Sequence, residues 1–152
     1  MKIIVGSDHR GFELKNKLKV WLKETGHDVE DCGNKVYDPE DDYPDFANCV
    51  AEKIQQSLTP KILNAIGIVI CGSGIGVSVA ANRHKGIICG LGFDVDQIKH
   101  ARENDHINVL SIPSDYVDFE TAKKITMVFL EAKPKMEEKY LRRANKLDMF
   151  NE

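Results

Sequence analysis

The segment GIVICGSGIGVSVAANR, residues 67–83, decides the fold. It begins as an apolar, β-branched run that reaches Cys71, continues with glycines at 72, 74 and 76, and ends in small helix-compatible residues. This order predicts a buried strand, a glycine-rich turn and the start of a helix. Glycine lets a ligand approach the backbone closely, and the first N–H groups of a helix lack intrahelical partners. The segment is therefore expected to hold an anion, or an oxygen that becomes anionic during a reaction.

The spacing of this turn, G-S-G-I-G, argues against two common nucleotide sites. A dinucleotide-binding turn carries a third glycine where Val77 stands, and a P-loop ends in a lysine that is missing here. By residue type alone, Cys71 is more simply a small buried residue at a strand end than a reactive thiol.

Composition indicates one soluble domain spanning residues 1–152. Apolar residues make up 42% of the 152 residues, and the net charge of −3 argues against binding nucleic acid or an anionic membrane surface. No apolar run reaches the ~20 residues of a membrane helix, and MKIIVGSDHRG turns polar too early for a signal peptide. A cytoplasmic protein is expected. Its four separated cysteines (Cys32, Cys49, Cys71 and Cys89) are expected to be reduced, without structural zinc.

Short apolar runs alternate with amphipathic stretches along the whole chain. Strands are predicted at 2–7, 28–32, 66–70, 86–92 and 108–112, and helices at 12–24, 45–57, from 77, at 94–104, at 118–132 and in the charged tail 135–152. This alternation predicts an α/β domain with a five-stranded parallel sheet. The acidic run 38–42 is interpreted as a solvated loop, with Tyr43 at its end bordering the site.

Ligands of such sheets bind beyond the carboxyl ends of strands, where the strand order reverses. If the first and third predicted strands are neighbours, Asp8 and His9 face the same crevice as Cys71 and the glycines after it. The crevice is thus predicted from topology alone.

Four motifs in register resemble the type B ribose-5-phosphate isomerases: GSDHRGFELK at 6–15, DYPDFA at 42–47, CGSGIGVSVAAN at 71–82 and INVL at 107–110. That sugar-phosphate isomerase family also contains galactose-6-phosphate and allose-6-phosphate isomerases. The resemblance implies a Rossmann-like α/β/α sandwich that works as a homodimer, with each site completed by the partner chain through the helical tail. It implies no metal and no nucleotide cofactor.

The resemblance also implies roles for individual residues. Cys71 is the base that moves a proton between C2 and C1 of the open-chain sugar. The enediolate is bound by the turn that follows, with Ser73 and the loop N–H groups donating to O1 and O2; the turn residues are Gly72, Gly74, Ile75 and Gly76. Asp8 and His9 contact the sugar and its phosphate.

Three positions depart from the family pattern. Asn104 stands in place of the ring-opening histidine, Asp105 replaces the following asparagine, and His106 lies two residues later. Asp115 puts an acid where a phosphate-binding arginine is expected. In the tail, Arg143 matches one phosphate-binding arginine of the family. Lys139 replaces another and lacks its planar fork. Compensation is expected from His106, Arg102 or Arg83.

Two other functions stay open beside isomerisation of ribose 5-phosphate or of allose or galactose 6-phosphate. One is a noncatalytic sugar-phosphate-binding protein that has lost the ring-opening and phosphate groups. The other is a nucleotide-binding module that uses Asp94 or Asp96 on a ribose. Assembly of dimers into a tetramer also stays open.

Overall fold

The computed structural model describes residues 1–59, 62–63 and 65–149. Its elements, in chain order, are β1 (Lys2–Ser7), α1 (Phe12–Glu24), β2 (Asp28–Asp31), α2 (Tyr43–Ser57), β3 (Leu58–Thr59), β4 (Ile62–Leu63), β5 (Ala65–Cys71), α3 (Ile75–Ala81), β6 (Cys89–Leu91), α4 (Val95–His100), a π-helical turn (Ala101–Asp105), β7 (Val109–Pro113), α5 (Phe119–Glu131) and α6 (Glu138–Asp148).

Five of the strands form a parallel sheet in the order β2-β1-β5-β7-β6. The chain moves outward from β1 to β2, and then returns to place β5 on the other side of β1. The strand order therefore reverses between β1 and β5, where their carboxyl ends meet in the pairing of Ser7 with Ile70. The predicted five-stranded parallel sheet and the predicted neighbourhood of these two strands are both confirmed.

Helices cover both faces of the sheet. Alternate residues of β1 point to opposite sides, so that Ile3 and Val5 pack with α1, α4 and α5, whereas Ile4 packs with α2 and α3. Every residue of β5 is buried, which explains its unbroken apolar run. The result is the three-layer Rossmann-like sandwich that the resemblance implied.

Some helices and strands begin or end at other residues than predicted, because the backbone there leaves the regular helix or strand conformation. The helix predicted over 94–104 is α-helical only to His100 and then widens into the π-helical turn. The strand predicted over 86–92 shrinks to Cys89–Leu91. Gly86 takes a φ of +78° that a strand does not allow, and the N–H groups of Ile87 and Ile88 donate to the His84 carbonyl and the Asn108 side chain. Helix α2 begins at Tyr43 rather than at 45, since Pro44 fits the first helical turn.

The short antiparallel pair of β3 and β4 was not predicted. Pro60, which was expected to break the preceding helix, lies outside the described residues, as do residues 150–152 of the predicted tail. The described tail is helical from Glu138 to Asp148. Among the described residues, no helix has the length and apolar character needed to cross a bilayer.

Two of the cysteines form a disulfide, between Cys32 after β2 and Cys49 in α2, with Cα atoms 6.0 Å apart. Cys71 and Cys89 are free and buried. The prediction of four reduced cysteines is therefore wrong for Cys32 and Cys49. Their separation of 17 residues gave no pairing signal; the contact arises because α2 packs back over β1, next to the end of β2.

Candidate active site

The turns that follow β1 and β5 meet at the carboxyl edge of the sheet. A Cβ added to Gly11, at the start of α1, would lie 2.7 Å from the carbonyl oxygen of Ile70 in β5. Only glycine allows so close an approach of two backbones. The predicted crevice is thus present, with Asp8 and His9 on one side and Cys71 on the other.

Cys71 is the last residue of β5 and is 5% exposed. Its Sγ accepts a hydrogen bond from the N–H of Gly74 at 3.2 Å, so the glycine-rich turn folds back over the sulfur. A hydrogen bond from Ser111 Oγ to the Gly74 carbonyl holds that turn against β7. Cys89, in contrast, is enclosed in the core, where burial raises the pKa of its thiol.

The glycine-rich turn offers several free donors. Gly74 takes a φ of +73°, a left-handed conformation that places α3 immediately after the turn. Ile75, exposed at the start of α3, donates its N–H to Ser73 Oγ at 3.2 Å. Among the described residues, four N–H groups of this turn have no acceptor: those of residues 72, 73, 76 and 77. Val77 is fully buried, so the N–H groups of residues 72, 73 and 76, close to Cys71 along the chain, are the ones that suit an oxyanion.

Tyr43 borders the same turn from α2. A Cβ added to Gly76 would lie 2.8 Å from Cε2 and Cζ of the Tyr43 ring, and Tyr43 is 42% exposed. The ring therefore forms a wall of the crevice where the third glycine leaves room for it.

Asp8 organises the turn after β1. It is 5% exposed, and its Oδ1 accepts the N–H groups of Arg10 at 3.0 Å and Gly11 at 3.1 Å. Burial raises the pKa of this carboxyl, against the opposing effect of those two donors. Its other oxygen, Oδ2, has no partner among the described residues and is available to a ligand.

His9 is held by Asp41, an acid of the run 38–42 that the sequence predicts to be a solvated loop. Its backbone N–H and its Nδ1 both lie within 2.9 Å of Asp41 Oδ1, and the Asp41 side chain is only 6% exposed. The other oxygen of Asp41 accepts Asn34 Nδ2 at 3.0 Å, and Lys15 Nζ donates to the Asn34 carbonyl at 2.9 Å. Lys15 is fully buried and also pairs with Asp31 at 2.9 Å. The interpretation of 38–42 as wholly solvated is wrong for Asp41.

Asp41→Asn is expected to lower the pKa of His9 toward the ordinary value of about 6.5. The hydrogen bond with Asp41 is the main cause that raises this pKa. When the Asp41 carboxylate becomes an asparagine amide, the charge-assisted part of that bond is lost. Because the raised pKa belongs to the folded state, the stabilisation is complete below pH ~6.5 and disappears as pH rises through the native pKa. The Asp41→Asn variant should therefore lose most stability below pH ~6.5, with a loss that fades as pH rises through the native pKa of His9.

A histidine NMR titration measures this pKa directly, and urea unfolding at several pH values follows the stability. Asp42→Asn is the matched control, since Asp42 is exposed and makes no side-chain hydrogen bond to His9. An unchanged His9 titration in Asp41→Asn would contradict the assigned contact.

The remaining candidate residues lie at the opposite edge of the sheet. Asn104, Asp105 and His106 precede β7, whereas Pro113 at its far end pairs with Cys71. The five residues of β7 separate the two groups by roughly 16 Å at ~3.3 Å per residue. Within one chain, the structure does not bring these residues to Cys71.

Side chains of the π-helical turn contact the end of α4 and the segment that precedes α6. The Asn104 amide contacts the His100 ring, and its Oδ1 accepts Lys135 Nζ at 3.1 Å. His106, with a φ of 60°, places Nε2 at 2.8 Å from the Lys135 carbonyl. Asp105 is exposed and makes no side-chain hydrogen bond among the described residues.

Both basic candidates of the tail are exposed on α6. Lys139 pairs with Glu137 at 3.3 Å, and this neighbour raises its pKa. Arg143 has no ion pair among the described residues. No residue of α6 is buried.

Arg102 is not available to compensate for a missing phosphate ligand. Its side chain is buried, its Nη1 donates to the Ile107 carbonyl, and its guanidinium lies 5.3 Å from the centroid of the Phe129 ring. Burial lowers its pKa. Arg83 follows the end of α3 that points away from the glycine-rich turn. The expected compensation by Arg102 is therefore wrong.

A cleft of about 880 Å³ extends from the crevice along α1. His9 and Arg10 line its inner end, and Phe12, Trp21 and Tyr37 line its apolar wall. Among the described residues, no group of three or more His, Cys, Asp or Glu side chains is arranged to hold a metal ion.

Residues 3–147 match the model of the Ribose/Galactose Isomerase family. The chain belongs to this family. It is 41% identical over 130 residues to the probable ribose-5-phosphate isomerase B of Mycoplasma pneumoniae, covering 86% of this chain and 82% of that protein. It is 39% identical over 112 residues to ribose-5-phosphate isomerase B of Mycolicibacterium paratuberculosis, covering 74% of this chain and 67% of that protein.

Solved members of the family share the whole fold. Ribose-5-phosphate isomerase B of Mycoplasma genitalium, with bound ribulose 5-phosphate, has a TM-score of 0.90 at 36% identity and covers 98% of this chain and 95% of its own. The Clostridium thermocellum enzyme also has a TM-score of 0.90, at 33% identity over 99% of this chain and 97% of its own. The resemblance to the type B isomerases is confirmed.

Proposed function

We propose that this protein interconverts ribose 5-phosphate and ribulose 5-phosphate, with Cys71 as the base. The observation that carries the proposal is the position of a buried free thiol directly beneath a turn whose N–H groups at residues 72, 73 and 76 have no acceptor in the described part of the chain. Aldose–ketose isomerisation needs one base beside a carbon acid and donors for the oxygens that become anionic. The names of the relatives, and ribulose 5-phosphate bound to the Mycoplasma genitalium enzyme, support this substrate.

In the proposed reaction, the Cys71 thiolate removes the proton from C2 of the open-chain aldose. The electron pair of that C–H bond forms the C1–C2 double bond of an enediolate, whose oxygens accept hydrogen bonds from the glycine-rich turn. Proton transfer between the two oxygens and return of the carbon-bound proton to C1 then give the ketose. Electrons and protons balance within the substrate, so this reaction needs no redox cofactor.

Asp8 and His9 have the chemistry to position the rest of the substrate. The hydrogen bond with Asp41 raises the pKa of His9, which favours the cationic imidazolium that suits the substrate anion. Oδ2 of Asp8 is suited to a sugar hydroxyl. Both are on the side of the crevice opposite Cys71.

We further propose that each site is completed by a second copy of the chain. Asn104, His106 and the tail residues lie at the edge of the sheet opposite to Cys71, so they reach a substrate only across an interface. The exposed helix α6 supports this proposal, because it carries Lys139 and Arg143 and buries no residue in its own chain.

Conversion of ribose 5-phosphate by the purified protein tests the function, with allose 6-phosphate and galactose 6-phosphate measured beside it. We expect ribulose 5-phosphate to form, with ribose 5-phosphate preferred. Preference for a hexose phosphate would change the substrate but keep the reaction. Ligand-induced thermal stabilisation without turnover of any of the three sugar phosphates would favour the noncatalytic alternative. The specific reason for that alternative is Asn104, which stands in place of the ring-opening histidine.

A further inference from the structure

The side chain of Arg10 lies over the glycine-rich turn. A Cβ added to Gly72 would collide with Arg10 Nε and would lie 2.9 Å from Arg10 Cδ. Position 72 therefore has to be glycine for the guanidinium to rest there. Arg10 also follows the Asp8–His9 pair directly, so its side chain reaches from the turn after β1 to the turn after β5.

Asp115 holds this guanidinium from one edge. Its Oδ2 accepts Arg10 Nε at 3.1 Å and also accepts Nη2. The Asp115 N–H donates to the Gly72 carbonyl at 3.0 Å, so the carboxylate is itself anchored to the glycine-rich turn. The acid that was predicted to face the substrate phosphate instead faces a cation.

Ser114, in the turn after β7, contacts the turns after β1 and β5. Its hydroxyl is within donating distance of two carbonyl oxygens, that of Arg10 at 3.0 Å and that of Cys71 at 3.1 Å. The arginine, its carboxylate partner and the proposed base are thereby fixed relative to one another. This arrangement pre-organises the guanidinium and does not leave it as a freely moving surface charge.

The contacts of Arg10 leave part of its guanidinium free. Among the described residues, Nη1 has no hydrogen-bond partner, and the side chain is 56% exposed. An ion pair as exposed as this one contributes little to stability, so stability does not explain its placement. A free guanidinium edge is the donor geometry that best matches a phosphate.

We propose that Arg10, oriented by Asp115, is a phosphate-binding residue of the substrate site and determines the preference for a phosphorylated sugar. This inference rests on the proposed isomerase function and adds a ligand to it. Nη1 and the outer N–H of Nη2 donate to the phosphate oxygens, next to the His9 imidazolium. Asp115 does not touch the phosphate; it is a positioning residue for Arg10.

The test compares turnover of ribose 5-phosphate with turnover of D-ribose, which lacks the phosphate. Arg10→Gln should reduce the ratio of the two kcat/KM values by about 10–100-fold, the effect of losing a charged hydrogen-bond pair. Most of the loss should appear in KM for ribose 5-phosphate. Arg10→Lys should recover part of the ratio, because it keeps the charge without the fork.

Two further variants test the position of the cation and the specificity of the effect. Arg10→Asp combined with Asp115→Arg moves the cation across the same ion pair and should restore KM to a value well below that of Arg10→Gln. Lys17→Gln is the matched control, since Lys17 is exposed and pairs with Glu13 within α1. An unchanged ratio in Arg10→Gln, or equal losses with both sugars, would overturn the proposal.

Titration with inorganic phosphate keeps the inference independent of turnover. If the unaltered protein isomerised none of the sugar phosphates, the proposed function would fail, yet Arg10→Gln should still weaken phosphate binding relative to Lys17→Gln. Equal phosphate affinity in Arg10→Gln and Lys17→Gln would refute the role of Arg10 even in an active enzyme.

Discussion

Cys71→Ala is expected to lower kcat for ribose 5-phosphate by roughly 10²–10⁴-fold, the usual contribution of a positioned acid–base group. KM should change little, because the donors of the glycine-rich turn and the side chains of Asp8 and His9 remain. The thiol accepts one hydrogen bond, from the Gly74 N–H, so its loss leaves the turn held by Ser111. The rate of ketose formation and an unfolding curve together check this expectation.

Cys89→Ala is the matched control, because Cys89 is the other free cysteine and lies in β6 within the core. Removal of its thiol should leave kcat within a few-fold of the unaltered protein. Turnover that survives in Cys71→Ala would mean that another group is the base. A loss of activity accompanied by unfolding would be resolved with Cys71→Ser, which keeps a polar atom of similar size but carries a hydroxyl that does not ionise at neutral pH.

Mixed oligomers should show whether one site uses two chains. Cys71→Ala removes the proposed base at one edge of the sheet. The double variant Lys139→Ala/Arg143→Ala removes the two basic side chains of the tail, at the opposite edge. A hybrid dimer of these chains has one site with both lesions and one site with neither. Random reassembly of equal amounts should therefore recover about a quarter of the unaltered activity, well above the average of the separate variants, at subsaturating ribose 5-phosphate.

Co-expression with two affinity tags provides the hybrid. Its doubly purified fraction has one intact site of two, so the measurement should give about half of the unaltered activity in place of the quarter expected for the random mixture. Cys71→Ala mixed with His9→Ala is the control: both residues belong to the same crevice of one chain, so every site of that hybrid carries a lesion. Recovery in this control as well would point to an artefact of mixing. No recovery in the first mixture would mean that Lys139 and Arg143 serve no site of the partner.

Local sequence was sufficient for the centre of the fold and of the candidate site. The apolar run of β5 can be buried on both faces only inside a parallel sheet, and the glycines after Cys71 allow the left-handed turn and the backbone approach that the structure contains. The crevice beside Asp8 also followed from sequence, because parallel strands bring their carboxyl ends to one edge. The roles of individual residues came from the resemblance and remain predictions.

Tertiary structure alone decided which distant side chains meet. Asp41 contacts His9 across 32 residues, Asp115 contacts Arg10 across 105, and Cys32 reaches Cys49 because a helix folds back over the sheet. A charged residue in a polar loop has the same local pattern whether it is solvated or buried against a partner. Sequence by itself determined the strands, the turn and the edge where the crevice lies; packing determined the partners, because an ion pair depends on the path of the chain between its members.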